Sequence, residues 1–131
     1  MSGETSLDKL LSSMSPRLNP GEFVFCTGQD GIHIPAADML GSFREQEGLT
    51  VILERTRADA LGLSYSYCAA WITLQVHSAL EAVGLTAAFA GALGKAGISC
   101  NVVAAYYHDH IFVALQDAER AMQVLRQLAG K

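Results

Sequence analysis

Residues 71–115 decide the fold, and they read WITLQVHSAL EAVGLTAAFA GALGKAGISC NVVAAYYHDH IFVAL. The stretch opens with an apolar, partly β-branched run, which is typical of a strand. A polar segment ending in Gly84 follows. Apolar residues then recur at every third or fourth position, which predicts a helix carrying Leu85, Phe89, Leu93 and Ala96 on its buried side. Two more apolar runs, residues 100–107 and 110–115, flank a histidine-rich turn and predict a hairpin.

One more helix closes the chain. Asp117 is its predicted cap, and its apolar stripe consists of Ala121, Met122, Leu125 and Leu128. The C-terminal part therefore has the order β-α-β-β-α. That order belongs to the ferredoxin-like arrangement βαββαβ, an antiparallel sheet with helices on one face.

The first half of the chain contains weaker versions of the same signals. In order, we predict a helix at residues 6–14, a strand at 22–27, a helix at 35–47 opened by Pro35, and a strand at 49–54. Residues 55–63 are ambiguous, and a strand that resumes near residue 65 could continue to residue 76. We therefore expect an α+β chain with two ferredoxin-like units, at residues 1–63 and 64–131.

Composition narrows the classes of partner. The chain has 131 residues, a net charge of −4 and no basic run, so we expect no nucleic-acid partner. No apolar run reaches the roughly 18 residues of a membrane span, and no signal peptide is evident. Three widely spaced cysteines without a C-x-x-C motif indicate a reducing cytoplasm. Half of the residues are hydrophobic, which favours self-association, with a homodimer as the simplest form.

Three segments resemble the ACT-domain family: HSALEAVGLT at residues 77–86, AGISCNVV at 96–103 and YYHDH at 106–110. The chain is most similar to small bacterial proteins of undefined function that hold two ACT-like units. A weaker likeness covers residues 21–63. The resemblance implies a regulatory module that binds amino acids or similar metabolites beside the turn between the first strand and first helix. It implies no cofactor and no catalysis.

That turn provides the candidate ligand-binding residues. The unpaired N–H groups of a helix starting near Leu85 favour an anion, and Gly84 lets a ligand carboxylate approach the backbone. Glu81 could pair with a ligand ammonium group, while Ser78 and Thr86 offer hydroxyls. The full predicted set is His77, Ser78, Glu81, Val83, Gly84, Leu85 and Thr86, with Tyr106, His108 and His110 of the hairpin as neighbours. The alternative is an ordinary strand-to-helix turn.

Two other functions remain open from the sequence. His108 and His110 could chelate a metal, or serve a small enzyme, if His77 or Cys100 converged on them. We assign no metal to them, because Asp109 is expected to make the turn and no third ligand is evident. A structural interaction subunit that uses its apolar surface is the remaining alternative.

Overall fold

The computed structural model of the chain describes residues 6–28, 31–76 and 84–131. The chain divides into two compact units. The continuous unit is Pro20–Ala70, and the discontinuous unit combines Met1–Asn19 with Trp71–Lys131. The boundary expected between residues 63 and 64 lies in the turn between the last helix of the continuous unit and its last strand. No helix in the described ranges is long and apolar enough to cross a membrane.

The described residues form seven strands and four α-helices. The strands are β1 (Ser15–Leu18), β2 (Phe23–Thr27), β3 (Met39–Glu45), β4 (Gly48–Glu54), β5 (Cys68–Gln75), β6 (Cys100–Ala104) and β7 (Asp109–Ala114). The helices are α1 (Leu7–Ser13), α2 (Arg55–Leu61), α3 (Leu85–Lys95) and α4 (Ala118–Leu128). Short 3-10 turns at Ala36–Asp38 and Leu115–Asp117 precede β3 and α4.

In the continuous unit the strand order is β3-β4-β2-β5, and every described pairing is antiparallel. The register of β2 on β4 runs from Phe23↔Glu54 to Thr27↔Thr50. The core of this unit is formed by Val24, Cys26, Ile34, Val51, Leu53, Ala58 and Leu63. Numbered from β2, the order is second, third, first, fourth, which is the ferredoxin-like order.

The discontinuous unit repeats that order as β1-β5-β7-β6. Strand β5 is its first strand and β6–β7 its hairpin, while β1 takes the fourth place by pairing antiparallel with β5 from Ser15↔Gln75 to Leu18↔Ile72. The side chains of Leu10 and Met14, at α1, are 0% exposed. The rest of the core comes chiefly from Leu74, Phe89, Leu93, Ile111, Val113 and Leu125. The predicted fold class, α+β with two ferredoxin-like units, is confirmed.

The predicted helix at residues 35–47 is wrong. Pro35 precedes a single 3-10 turn, and Met39–Glu45 then forms β3. The spacing of Met39, Leu40 and Phe43 fits a helix, but Leu40 and Phe43 are exposed. Pairing with β4, which ends at Glu45↔Gly48 around a tight turn, determines the conformation instead. Long-range pairing has therefore overridden a local pattern.

Two further details differ from the sequence-based expectations. Asn19-Pro20-Gly21 is a sequence typical of a turn, yet β1 extends to Leu18 just before it and completes a sheet. Asp109 was expected to make the hairpin turn, yet it pairs with Ala104 inside the ladder. The turn lies before it, where the N–H of Ala105 donates to the carbonyl of His108 at 3.1 Å.

Candidate functional site

Gly84 begins helix α3 in a conformation that few other residues adopt. Its φ of 97° lies in the left-handed region, and its carbonyl accepts the first helical hydrogen bond, from the N–H of Ala88 at 2.9 Å. Leu85 behind it is buried, whereas Thr86 is exposed. His77, Ser78, Glu81 and Val83 lie outside the described residues, so their predicted roles stay predictions.

The start of α3 has the physical properties that an anion site needs. The first three N–H groups of an α-helix have no acceptor within the helix, and they carry a partial positive charge. Gly84 adds a residue without a side chain at this point. A carboxylate could therefore approach these amides closely.

Helix α1 flanks the same turn. A Cβ built on Gly84 would meet Leu7, with Cδ2 3.4 Å away and Cδ1 3.8 Å away. Leu7 is 36% exposed, so its isobutyl group is part of the surface beside Gly84. Leu7 could not be predicted as a neighbour of Gly84, because nothing local in the sequence connects residue 7 with residue 84.

The tip of the β6–β7 hairpin carries an exposed aromatic pair. Tyr106 and Tyr107 are 78% and 77% exposed, and their rings meet edge to face with centroids 5.0 Å apart. Exposed aromatic rings beside unpaired strand edges are surfaces suited to binding. Tyr106 therefore remains a candidate for contact with a ligand.

His110 belongs to a network on β5 and β7. The indole N–H of Trp71 donates to His110 Nδ1 at 3.0 Å, and the Thr73 hydroxyl lies 3.1 Å from the same nitrogen. The Asn19 amide donates to Thr73 Oγ1 at 2.9 Å and so joins the same network. An indole only donates, so Nδ1 must be unprotonated and the imidazole neutral. Burial lowers the pKa of His110, with a further lowering by His108, in agreement with this geometry.

His108 and Asp109 lie next to this network. The Nδ1 atom of His108 is buried, and no hydrogen-bond partner for it is found among the described residues. Burial raises the pKa of Asp109, although the neighbouring histidines oppose the shift. Within the described ranges no three His, Cys, Asp or Glu side chains are grouped closely enough to hold a metal ion. His77, a ligand in the metal alternative, falls outside those ranges.

The cysteines have the properties of structural thiols. Cys26 is buried, Cys68 and Cys100 are partly buried, and all three are free. Burial raises the pKa of both Cys26 and Cys100, which keeps these thiols protonated and weakly nucleophilic near neutral pH.

Among the predicted residues, Gly84, Leu85 and Thr86 lie together at the start of α3, and Tyr106, His108 and His110 lie together on the hairpin. No pattern in the sequence predicts the partners of His110, which are Asn19, Trp71 and Thr73. Locally, Asn19 only opens the sequence Asn19-Pro20-Gly21, which is typical of a turn. Its amide in fact contacts a strand more than fifty positions away along the chain.

Comparison with solved structures finds chains of the same fold. A Vibrio cholerae protein of unknown function, described as a possible transport protein, is 49% identical, with a TM-score of 0.81 over 95% of this chain and 97% of that one. An Agrobacterium tumefaciens protein is 18% identical, with a TM-score of 0.69 over 88% and 89% of the two chains. The ligand-free regulatory subunit of aspartate kinase from Thermus thermophilus is 10% identical, with a TM-score of 0.60 over 88% and 98%. The last two likenesses show the fold alone.

Comparison with curated proteins returns no match. Two family models, both describing an ACT domain, match residues 2–70 and 69–127. Together they span nearly the whole chain, one for each ferredoxin-like repeat. The chain thus belongs to the ACT-domain family, with two ACT domains in tandem.

Proposed function

We propose that this protein is a non-catalytic regulatory module that binds a small molecule, with an amino acid as the ligand. The binding surface is the turn at Gly84, Leu85 and Thr86, together with the predicted turn residues before it. The observation that carries the proposal is the left-handed glycine at the start of an eleven-residue helix. The helix amides attract the ligand carboxylate, and the absence of a side chain lets it approach.

Family membership supports the same role. ACT domains are regulatory and generally bind small ligands such as amino acids. The Thermus thermophilus neighbour is itself described as a regulatory subunit of aspartate kinase. In this role, binding of the ligand to the chain would control a target of the regulatory module.

We further propose a cytoplasmic homodimer. Three free cysteines fit a reducing compartment. Strand β3 is the outermost strand at one end of the strand order, and β6 is the outermost strand at the other end. Five apolar side chains on these strands and at the tip of the β6–β7 hairpin are exposed: Leu40, Phe43, Val103, Tyr106 and Tyr107. A second copy would remove this apolar area from water.

The test is a calorimetric titration with the twenty amino acids, one at a time, against wild type and two threonine variants. Thr86→Val removes the hydroxyl beside the helix start, and Thr56→Val is the matched control on exposed surface of α2. We expect at least one amino acid to bind saturably. We expect Thr86→Val to weaken that binding about fivefold or more, the value of one lost hydrogen bond, and Thr56→Val to leave it unchanged. Binding that both variants leave unchanged would count against the hydroxyl's role, and no binding by any amino acid would refute the proposal.

A structural interaction subunit is the second candidate, favoured by the exposure of Tyr106 and Tyr107. The same titrations separate the two functions. A ligand-binding module responds to a free amino acid, whereas an interaction subunit responds only to a partner chain.

A further inference from the structure

The continuous unit contains an open cleft of about 540 Å³ at the end of β2. The described pairing of β2 with β5 consists of Phe23↔Ala69 and Val24↔Cys68, and β5 begins at Cys68. The chain just before β5 thus borders the end of β2 without belonging to the ladder. The residues that line the cleft are Phe25, Cys26, Thr27, Thr50, Ser64, Tyr65 and Ser66.

The walls of the cleft combine aromatic surface with hydroxyl groups. Phe25 and Tyr65 contribute rings, and Phe25 also packs at 6.2 Å, centroid to centroid, on Tyr67. Among the described residues, no charged side chain lines the cleft. A ligand with an apolar body and one polar group suits such walls.

The protons of three hydroxyls at the cleft are already committed. Thr27 Oγ1 donates to the Leu49 carbonyl at 3.1 Å, and Thr50 Oγ1 donates to a carboxylate oxygen of Glu45. The phenol of Tyr65 donates to Asp59 Oδ1 at 2.7 Å. Each of these oxygens keeps lone pairs and can only accept a further hydrogen bond. At these three oxygens the cleft therefore favours a ligand that donates.

The charged groups around the cleft also favour a ligand that donates hydrogen bonds. The acceptors behind Thr50 and Tyr65 are the carboxylates of Glu45 and Asp59. Arg55, whose charge reaches Tyr65, is paired with Glu22 at 2.8 Å. A positive donor gains from the two carboxylates, whereas a ligand carboxylate would be repelled by them.

We propose that this cleft binds a small primary amine that carries an apolar or aromatic body and no carboxylate. Its ammonium group, with three donors and no acceptor, would meet the oxygens of Thr27 and Thr50, which are partners across β2 and β4. Its apolar body would lie on the rings of Phe25 and Tyr65, where a cation is also attracted to the ring face. The site is in the continuous unit, so it is independent of the function proposed for Gly84 in the discontinuous unit.

The experiment is a titration of the isotope-labelled full chain at pH 7, followed by backbone amide resonances. The probes are phenethylamine and its neutral analogue 2-phenylethanol. We expect phenethylamine to shift the amides of Thr27, Thr50 and Ser66 saturably, and the alcohol to bind about tenfold more weakly, because it forms no charge-assisted hydrogen bond.

Two variants locate the interaction. Thr27→Val removes one acceptor while keeping a β-branched residue on its strand, and Glu45→Gln removes a charge while keeping an acceptor for Thr50. Both should weaken phenethylamine binding about threefold or more, and Glu45→Gln should leave 2-phenylethanol unaffected. The exposed Thr56→Val serves as the matched control and should change neither affinity. Equal affinity for amine and alcohol, shifts confined to other residues, or no binding of phenethylamine would overturn the proposal.

Discussion

His110 illustrates how a single residue can be fixed in one protonation state by its partners. Its Nδ1 accepts from Trp71, so the imidazolium form would turn an N–H toward another N–H. The folded-state pKa is lowered from the ordinary value near 6.5, mainly by burial. The unfolded chain therefore takes up this proton first as the pH falls. The stability that neutral His110 provides is complete above about pH 6.5 and decreases as the pH falls below that value.

His110→Phe should remove this dependence. The variant keeps a ring but has no acceptor for the Trp71 indole, which should cost about 1–3 kcal/mol of unfolding free energy at pH 8. Urea denaturation at pH 8 and pH 5.5 should show a smaller loss of stability on acidification than wild type shows. Because His110 also lowers the pKa of Asp109, the difference in slope reports on His110 together with its effect on that carboxyl group. A slope in His110→Phe that equals the wild-type slope would contradict this role of His110.

Gly84, at the start of α3, and Gly91, within α3, provide a matched pair of glycine-to-alanine substitutions. Gly84→Ala places a Cβ at a φ of 97° and 3.4 Å from Leu7 Cδ2, and it should cost about 1–2 kcal/mol. Gly91 is exposed within α3, and its Cβ would meet nothing within 4 Å. Gly91→Ala should therefore raise stability by about 0.8–1 kcal/mol. Calorimetric melting should move the Tm in opposite directions, and a shift in the same direction would refute this description of the turn.

At the scale of elements, β1 is a strand of the discontinuous unit's sheet and α1 contributes to its core. Strand β1 pairs with β5, and Leu10 on α1 is fully buried. The Lys131 ammonium also donates to the carbonyl of Ser12, at 3.1 Å, and to that of Met14. A positive charge at the C-terminal end of a helix is favourable.

Leu10→Ala should consequently destabilise the discontinuous unit by about 2–5 kcal/mol, because it leaves a cavity in that core. Leu40→Ala, on the exposed face of β3, should cost about 0.5 kcal/mol or less. Amide hydrogen exchange should show lost protection in Phe112 and Val113 of β7 for the first variant only. Retained protection there would mean that α1 is not part of this core.

The elements also show what the sequence could predict and where it failed. The stripe of α3 was predicted correctly, since Leu85, Phe89 and Leu93 are buried and Gly97 follows the helix at a φ of 76°. Such patterns are local. The identity of β3 and the partner of β1 depend on pairing with distant strands, which no local pattern reports. The Gly84 turn was found through its glycine, whereas Leu7 beside it comes from another part of the chain.

For the whole molecule, the exposed aromatics predict concentration-dependent association. Phe43 is 72% exposed on β3, the outermost strand of its unit. Phe43→Ser should change the unfolding free energy by about 0.5 kcal/mol or less, because the side chain packs little within the chain. Light scattering after size exclusion should show a dimer for wild type. A wild-type protein that stays monomeric at high micromolar concentration would contradict the proposed dimer.

The main function that we propose for this tandem ACT-domain protein is the binding of an amino acid at the start of α3. The most direct measurement is an amide-resonance titration of the full chain with the amino acid that binds most tightly in calorimetry. We expect saturable shifts that are largest at Gly84, Leu85 and Thr86 and absent from the continuous unit's cleft. Shifts confined to other residues, or no amino acid that produces saturable shifts, would contradict it.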